Sequence, residues 1–270
     1  MTDKVPELHV VERAANPEWV EMPLSRRIVN IVRSCSAERE IALIVTAPGL
    51  GKTVALEKCA AELPNVVMVT LCRASGSLRG GLLEIAHALA RHPDFRHLLN
   101  IRPAHYTNVT SLWLGVMNAL EAAQQGSTFH SAQPVLVVDE AQAACLDLLE
   151  TLRSLYDRGF CSLVIAGNHN FRTDRLDALL SRLDHDVNRL VPAAEDVAAF
   201  CRAYGVTVPK SRQLLRQVAD VRGIRGVHQA LRRARAGGGG AALSPAAIEA
   251  AIKSMRFAAS EVWERQRGKR

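Results

Sequence analysis

The chain has 270 residues, 48% of them apolar, with 34 Lys+Arg against 27 Asp+Glu and six cysteines. That composition can bury a sizeable core and reads as globular. The cysteines (Cys35, Cys59, Cys72, Cys145, Cys161, Cys201) are scattered without a Cys-x-x-Cys pair, and no apolar run approaches the ~20 residues that span a bilayer. A disulfide scaffold, a zinc site and a membrane-spanning protein are therefore excluded, and a cytoplasmic protein with reduced core thiols is expected.

The first 22 residues hold little periodicity and open on a mixed, charged stretch, MTDKVPELHV, without a leader pattern. They are expected to be an N-terminal extension. Pro23 to Ser36 carries Leu24, Ile28, Ile31 and Val32 at helical spacing. Ile41 to Val45 then forms a run of apolar residues expected to be a buried strand. A helix from about Val54 to Leu63 follows and is closed by Pro64. Val66 to Leu71 reads as a second strand, residues 72–81 as a loop, and Leu82 to Ala90 as a helix. Residues 92–104, with two prolines, read as an irregular connection, and Thr110 to Ala123 as a further helix.

Pro134 introduces the apolar strand Val135 to Val138, which ends in Asp139-Glu140-Ala141-Gln142. A Leu-rich helix over Leu146 to Tyr156 leads to a strand over Cys161 to Ala166, ended by Gly167-Asn168. Leu176 to Leu183 reads as helix and Val187 to Val191 as a short edge strand. Strands alternating with helices imply a parallel sheet covered on both faces. Beyond Pro192 the pattern is helical throughout: Val197 to Tyr204, Ser211 to Val221, Val227 to Ala236 and, after a Gly237 to Gly240 break, a last helix from Ser244-Pro245 to about Met255. The expected organisation is an α/β core over 23–192, a helical lid subdomain over 193–256 and a basic tail over 257–270.

The chemistry concentrates at two places. After the first strand comes Thr46-Ala47-Pro48-Gly49-Leu50-Gly51-Lys52-Thr53, then a helix beginning near Val54. A glycine-rich turn between a strand and a helix lets backbone amides surround a phosphate at the positive end of the helix. Lys52 would reach the β- and γ-phosphates and Thr53 would ligate Mg²⁺. Ala47 to Val54 form the expected nucleotide cradle. Thr46 stands where the usual motif opens with glycine, a position that closes the strand and so should accept a β-branched residue. The second place is Asp139-Glu140. Asp139 would join the Mg²⁺ shell from the strand end, and Glu140 would orient and polarise the attacking water.

Asn168, closing the next strand, is placed to touch a γ-phosphate or that water, with His169 and Asn170 as rivals and an ordinary turn asparagine as the alternative. Arg182 could reach a neighbouring subunit's nucleotide, with Arg175 and Arg189 as rivals. Arg225 could fold over the nucleotide from the lid. The charge is uneven: from Val221 onward there are 11 Lys+Arg against 3 Asp+Glu, and before it 23 against 24. A basic last fifth fits an anionic partner, and equally a solvated helix face.

The ordered segments TAPGLGKT, VLVVDEAQ, VIAGN, LLSRL and GIRGVHQALRRA resemble AAA+ ATPases, and most of all transposition ATPases of the Mu B, TnsC and TniB type. The resemblance covers about residues 24–255. It implies Lys52 and Thr53 as the Walker A pair, Asp139 and Glu140 as the Walker B pair, and Asn168 as sensor 1. Arg182 becomes an arginine finger and Arg225 a sensor 2, although Gly223 precedes Arg225 by two positions where the family has Gly-x-x-Arg. Mu B also carries a helix-turn-helix region before its ATPase domain, and with only some 23 residues ahead of the first helix none is expected here. The family implies ATP with Mg²⁺ and ATP-dependent homo-oligomers, as filaments or rings, on duplex DNA. It also implies target selection and stimulation of an integrase-like transposase. Arg73, Ser75 and Arg79 after the second strand are the expected DNA contacts. A nucleotide switch acting on a protein partner, and a helicase-loader type of replication ATPase, are the alternatives.

Overall fold

The structure is a computed structural model that describes residues 19–93, 95, 107–125, 133–171, 176–189, 191–237 and 243–255. The expected lead-in up to residue 18, most of the 92–104 connection, Arg175 and the basic tail lie outside them. The described residues form two compact units, one of Pro23–Pro192 and one of residues 19–22 with those from Ala193 on.

The first unit is built on five strands: β1 (Ile41–Thr46), β2 (Val66–Thr70), β3 (Val135–Asp139), β4 (Ser162–Gly167) and β5 (His185–Arg189). All pairings are parallel, in the order β2-β3-β4-β1-β5. The three inner strands, β3, β4 and β1, are buried along their whole length, which is why they read as unbroken apolar runs rather than alternating ones. Helices α1 (Pro23–Ala37) and α2 (Lys52–Glu62) pack on each other, and α1 also lies against β1, β3 and β4. Opposite them, α3 (Leu78–Arg91), α4 (Val109–Gln125) and α5 (Leu146–Asp157) close a core holding Leu43, Val69, Leu136, Val138 and Ile165. The result is an α/β sheet with helices on both faces.

Two elements depart from the sequence-based expectation. Helix α3 begins at Leu78 rather than Leu82, because the Ser77 hydroxyl accepts from the Gly80 amide and caps the helix. Gly80 and Gly81 therefore lie inside its first turns. A β-carbon at Gly81 would come within 2.2 Å of the Leu148 side chain, so this glycine serves helix packing and not a loop. The second departure is α6, which is only Asp177–Leu180 instead of reaching Leu183. The chain must turn there to start β5: Asp184 exchanges backbone hydrogen bonding with Ile41, accepting from its amide through Oδ2 at 2.8 Å and donating its own N–H to the Ile41 carbonyl at 2.9 Å.

The second unit is helical: α7 (Ala194–Ala203), α8 (Pro209–Gly237) and α9 (Pro245–Lys253), with α8 packed on both others. The two helices expected over 211–236 follow one another along α8 and are parted by a kink at Gly223, whose φ of 64° and ψ of −172° leave the helical region. Ser244 caps α9 through a 3.1 Å bond to the Ala247 amide, with Pro245 in the first turn. Among the described residues no helix is long and apolar enough to cross a membrane.

Candidate functional site

The parallel sheet brings the carboxyl ends of β1, β3 and β4 to one edge, and the chemistry-bearing residues sit there. The loop after β1 turns on Gly49 (φ 82°) and Gly51 (φ 85°), and α2 begins at Lys52. Both glycines occupy left-handed backbone that a side chain would strain. Thr46 does not: it is the last residue of β1, wholly buried and in register with Arg189 of β5, so its Cβ is accommodated. That is the physical reason a β-branched residue can stand at the motif's first position. Leu50 is buried and anchors the turn, while Pro48 and Val54 are exposed and Ala47 and Thr53 half-buried.

Asp139 ends β3 with no exposed surface. Three donors converge on its carboxylate. The Lys52 ammonium bonds Oδ1, the Thr53 hydroxyl donates to Oδ2 at 2.6 Å, and the Glu140 amide donates to Oδ1 at 2.8 Å. Charge-assisted bonds of this kind make burying a carboxylate tolerable. The adjacent hydroxyl and carboxylate are hard oxygen donors, so Thr53 and Asp139 fit Mg²⁺. Glu140 is the one non-glycine residue among those described with a left-handed backbone (φ 55°, ψ 36°). Its side chain is 41% exposed and its carboxylate lies 3.8 Å from the Lys52 ammonium.

A residue without an assigned role in the sequence analysis joins this group. Gln142 donates through Nε2 to Glu140 Oε2 and accepts through Oε1 from the Asn168 amide at 3.1 Å. Nothing in the motif's spacing announces this link, because Asn168 arrives from another strand 26 positions later. Asn168 itself is half-buried. Its Oδ1 accepts from the Asn170 amide at 2.8 Å, which makes it a turn asparagine as well as the end of β4. Among the described residues no acceptor engages its Nδ2, which is the end available to a phosphate oxygen. His169 and Asn170 are exposed on the same turn.

Residues 35–174, just over half of the chain, match the family model described as AAA domain. The chain belongs to the AAA domain family. The remainder of this AAA protein matches a second model, described as Mu B transposition protein, C terminal, over residues 181–255. Two curated relatives are each called ATP-dependent target DNA activator B, from Escherichia phage Mu and Escherichia phage D108. Each is 26% identical over 219 residues, covering 78% of this chain and 64% of the relative. The chain thus spans less than two thirds of the length of those relatives. It is a Mu B-like AAA+ protein. Among solved structures it is similar to the ORC2 protein of Aeropyrum pernix in its ADP form (TM-score 0.51, 15% identity, 85% of this chain and 66% of that one). It is also similar to a Walker-type ATPase of Pyrococcus abyssi (TM-score 0.54, 14% identity, 93% and 76%). These likenesses show the α/β P-loop fold.

The other residues singled out in the sequence are placed as follows in this AAA fold. Arg182 is exposed just after α6, its Nε donating to Asp157 Oδ1 at 2.7 Å and its Nη1 to the Ala178 carbonyl. It is bound within its own chain, so service as a finger would require it to leave Asp157. Of Arg189 only the backbone, in β5, is described. Arg225 lies in the helical unit, exposed, two residues past the break at Gly223. Arg73 and Arg79 are exposed, Arg79 on the first turn of α3 rather than in a loop. Ser75, expected to face DNA, is buried instead: its hydroxyl accepts from the Cys72 amide at 2.9 Å and closes the turn. It shapes the loop that presents Arg73 and is not itself a surface contact.

Proposed function

We propose that this protein is an ATP-dependent, largely sequence-nonspecific DNA-binding ATPase that assembles on duplex DNA in the cytoplasm, selects transposition targets and stimulates an integrase-like transposase. The observation that carries the proposal is the match of residues 181–255, from the end of the α/β core through the helical unit, to the C-terminal region of the Mu B transposition protein. The joined Lys52, Thr53 and Asp139 support the nucleotide part.

In this reading the amides of residues 47–54 cradle the phosphates, and Lys52 exchanges its bond to Asp139 for the β- and γ-phosphate oxygens. Thr53 and Asp139 would hold Mg²⁺, which would supply charge neutralisation at the phosphates. Glu140 orients water for attack on the γ-phosphorus, Asn168 contacts the γ-phosphate, Arg182 reaches the nucleotide of a neighbouring subunit, and Arg225 covers it from the lid. Arg73 and Arg79 contact DNA phosphates, so affinity falls by about half a decade per contact between 50 and 200 mM salt.

The test is DNA binding by polarisation across a salt series with ATP, ADP or no nucleotide, beside Lys52→Ala. The expected result is salt-sensitive binding to unrelated duplexes with ATP alone, lost in the variant. Binding indifferent to nucleotide would refute ATP-dependent assembly, and no binding at all would turn the reading to a nucleotide switch on a protein partner.

A further inference from the structure

We infer that Gln142 is a positioning residue for hydrolysis, holding the Glu140 carboxylate in register with the end of β4. The inference rests on the ATPase reading above and adds to it a side chain that no motif role covers.

Glu140 lacks the restraints that fix most catalytic carboxylates. Its side chain is 41% exposed, so packing does not hold it, and its backbone sits in the left-handed region, which a non-glycine residue rarely adopts. The charged groups facing it are Lys52 of α2, at 3.8 Å, and Asp139 of β3, which accepts the Glu140 amide. Neither fixes the carboxylate's direction: the Lys52 ammonium is bonded to Asp139, and the Asp139 contact is to the Glu140 backbone. The directional bond comes from Gln142.

The orientation of the Gln142 amide follows from chemistry alone. The Asn168 N–H can only donate, so the atom 3.1 Å from it must be the Gln142 oxygen. That leaves the Gln142 NH₂ toward Glu140, whose ionised carboxylate can only accept. The planar amide therefore links a carboxylate on one side to a backbone donor on the other. Glutamate in its place would set two carboxylates against each other, and asparagine would be one methylene short.

The bridge is held at both ends. Gln142 lies on a single 3₁₀ turn, Ala141–Ala143, closed by the Ala143 amide on the Glu140 carbonyl at 2.9 Å. That turn is fastened to the loop after β2 by the Cys145 amide on the Gly76 carbonyl at 2.7 Å. On the other side, a β-carbon at Gly167 of β4 would lie 3.3 Å from Gln142 Oε1, so the strand end lies flush against the amide. A displacement of Asn168 by a γ-phosphate is thereby carried to Glu140 through one rigid group.

The test uses the full chain with MgATP, comparing wild type with Gln142→Met, Gln142→Asn and Gln142→Glu. It reads nucleotide affinity by calorimetry, and kcat and KM by steady-state hydrolysis. Gln142→Met removes both hydrogen bonds at similar volume. It is expected to lower kcat about 10- to 100-fold while Kd and KM stay within about threefold, since a charge-assisted bond is lost at the water-activating group and none at the cradle. Gln142→Asn should behave alike.

Gln142→Glu keeps the length of the side chain but sets a second carboxylate against Glu140, so its kcat should fall at least as far as that of Gln142→Met while Kd and KM again stay within about threefold. A wild-type kcat in Gln142→Met or Gln142→Glu, or a Kd increase that matches the kcat loss, would each overturn the inference while the ATPase reading stands. A wild type that does not hydrolyse ATP would overturn both.

Discussion

Replacing Gly76 with alanine measures how tightly the loop bearing Arg73 is joined to the segment bearing Glu140. The glycine is required by space, not by backbone angle. A β-carbon there would lie 1.9 Å from the Ala143 carbonyl oxygen and 2.9 Å from its carbon, and neither atom can rotate aside. Carbon–oxygen contacts across backbones settle at about 3.3–3.6 Å, so the two segments must part by roughly 1.4 Å or more. The same movement takes the Cys145 amide, 2.7 Å from the Gly76 carbonyl, beyond hydrogen-bonding range. Overpacking costs about 1–3 kcal/mol and the lost bond about 1 kcal/mol more, about 2–4 kcal/mol in all. For a unit of this size that is a Tm lower by about 4–16 °C. Calorimetry of the full chain should show that drop, together with a reduced kcat, because the displaced turn carries Gln142. Gly237→Ala is the control, since a β-carbon there meets nothing within 4 Å, and its Tm should not fall. A Gly76→Ala protein within about 1 °C of wild type would refute the close approach.

Asp139→Ala should destabilise by about 3–5 kcal/mol in addition to abolishing hydrolysis, because it leaves the buried Lys52 ammonium without its carboxylate; denaturant melts of Asp139→Ala beside Asp139→Asn check this, and equal, wild-type-like melts would contradict it. Cys72 is exposed and its thiol is held below its ordinary value by the Ser75 hydroxyl and nearby amides, whereas burial pushes Cys35 and Cys161 up to about 12 and Cys59 to about 11. A thiol-reactive dye near pH 7.5 should therefore label Cys72 ahead of those three, more slowly in Ser75→Ala, and more slowly in wild type when duplex DNA covers the loop. His228 packs against Phe200 and Tyr204, and burial followed by the Arg232 charge lowers its pKa. The fold favours its neutral form, so its contribution is complete above about pH 6.5 and is lost as pH falls through the lowered value; His228→Phe should flatten the fall in Tm between pH 7 and 5.

The strands were legible because a parallel strand buried on both faces appears as an unbroken apolar run, and in β1, β3 and β4 the run stops at the residue where chemistry begins. Thr46, Asp139 and Gly167 mark those ends. Strand order was not legible: β4 lies between β1 and β3, which sets Asn168 between the phosphate loop and Asp139, and no local pattern encodes which strand is whose neighbour. Glycine misled once: Gly80 and Gly81 looked like loop residues but belong to α3, where the second lets Leu148 approach, whereas Gly223 does break the helix between the two expected helical stretches. Ser75 was expected to contact DNA because it lies with Arg73 and Arg79 in the stretch after the second strand, but its hydroxyl satisfies a backbone amide.

These contacts make one connected line across the sheet edge. Lys52 and Thr53 from α2 meet on the carboxylate of Asp139, the Asp139 carboxylate holds the Glu140 amide, Gln142 holds the Glu140 carboxylate, and Asn168 holds Gln142. Asp139 is wholly buried, so removing Lys52 would leave its carboxylate short of a countercharge, with only the Thr53 hydroxyl and the Glu140 amide donating to it. A change at Asp139 therefore bears on Glu140, Gln142 and Asn168 through bonds that are each directional.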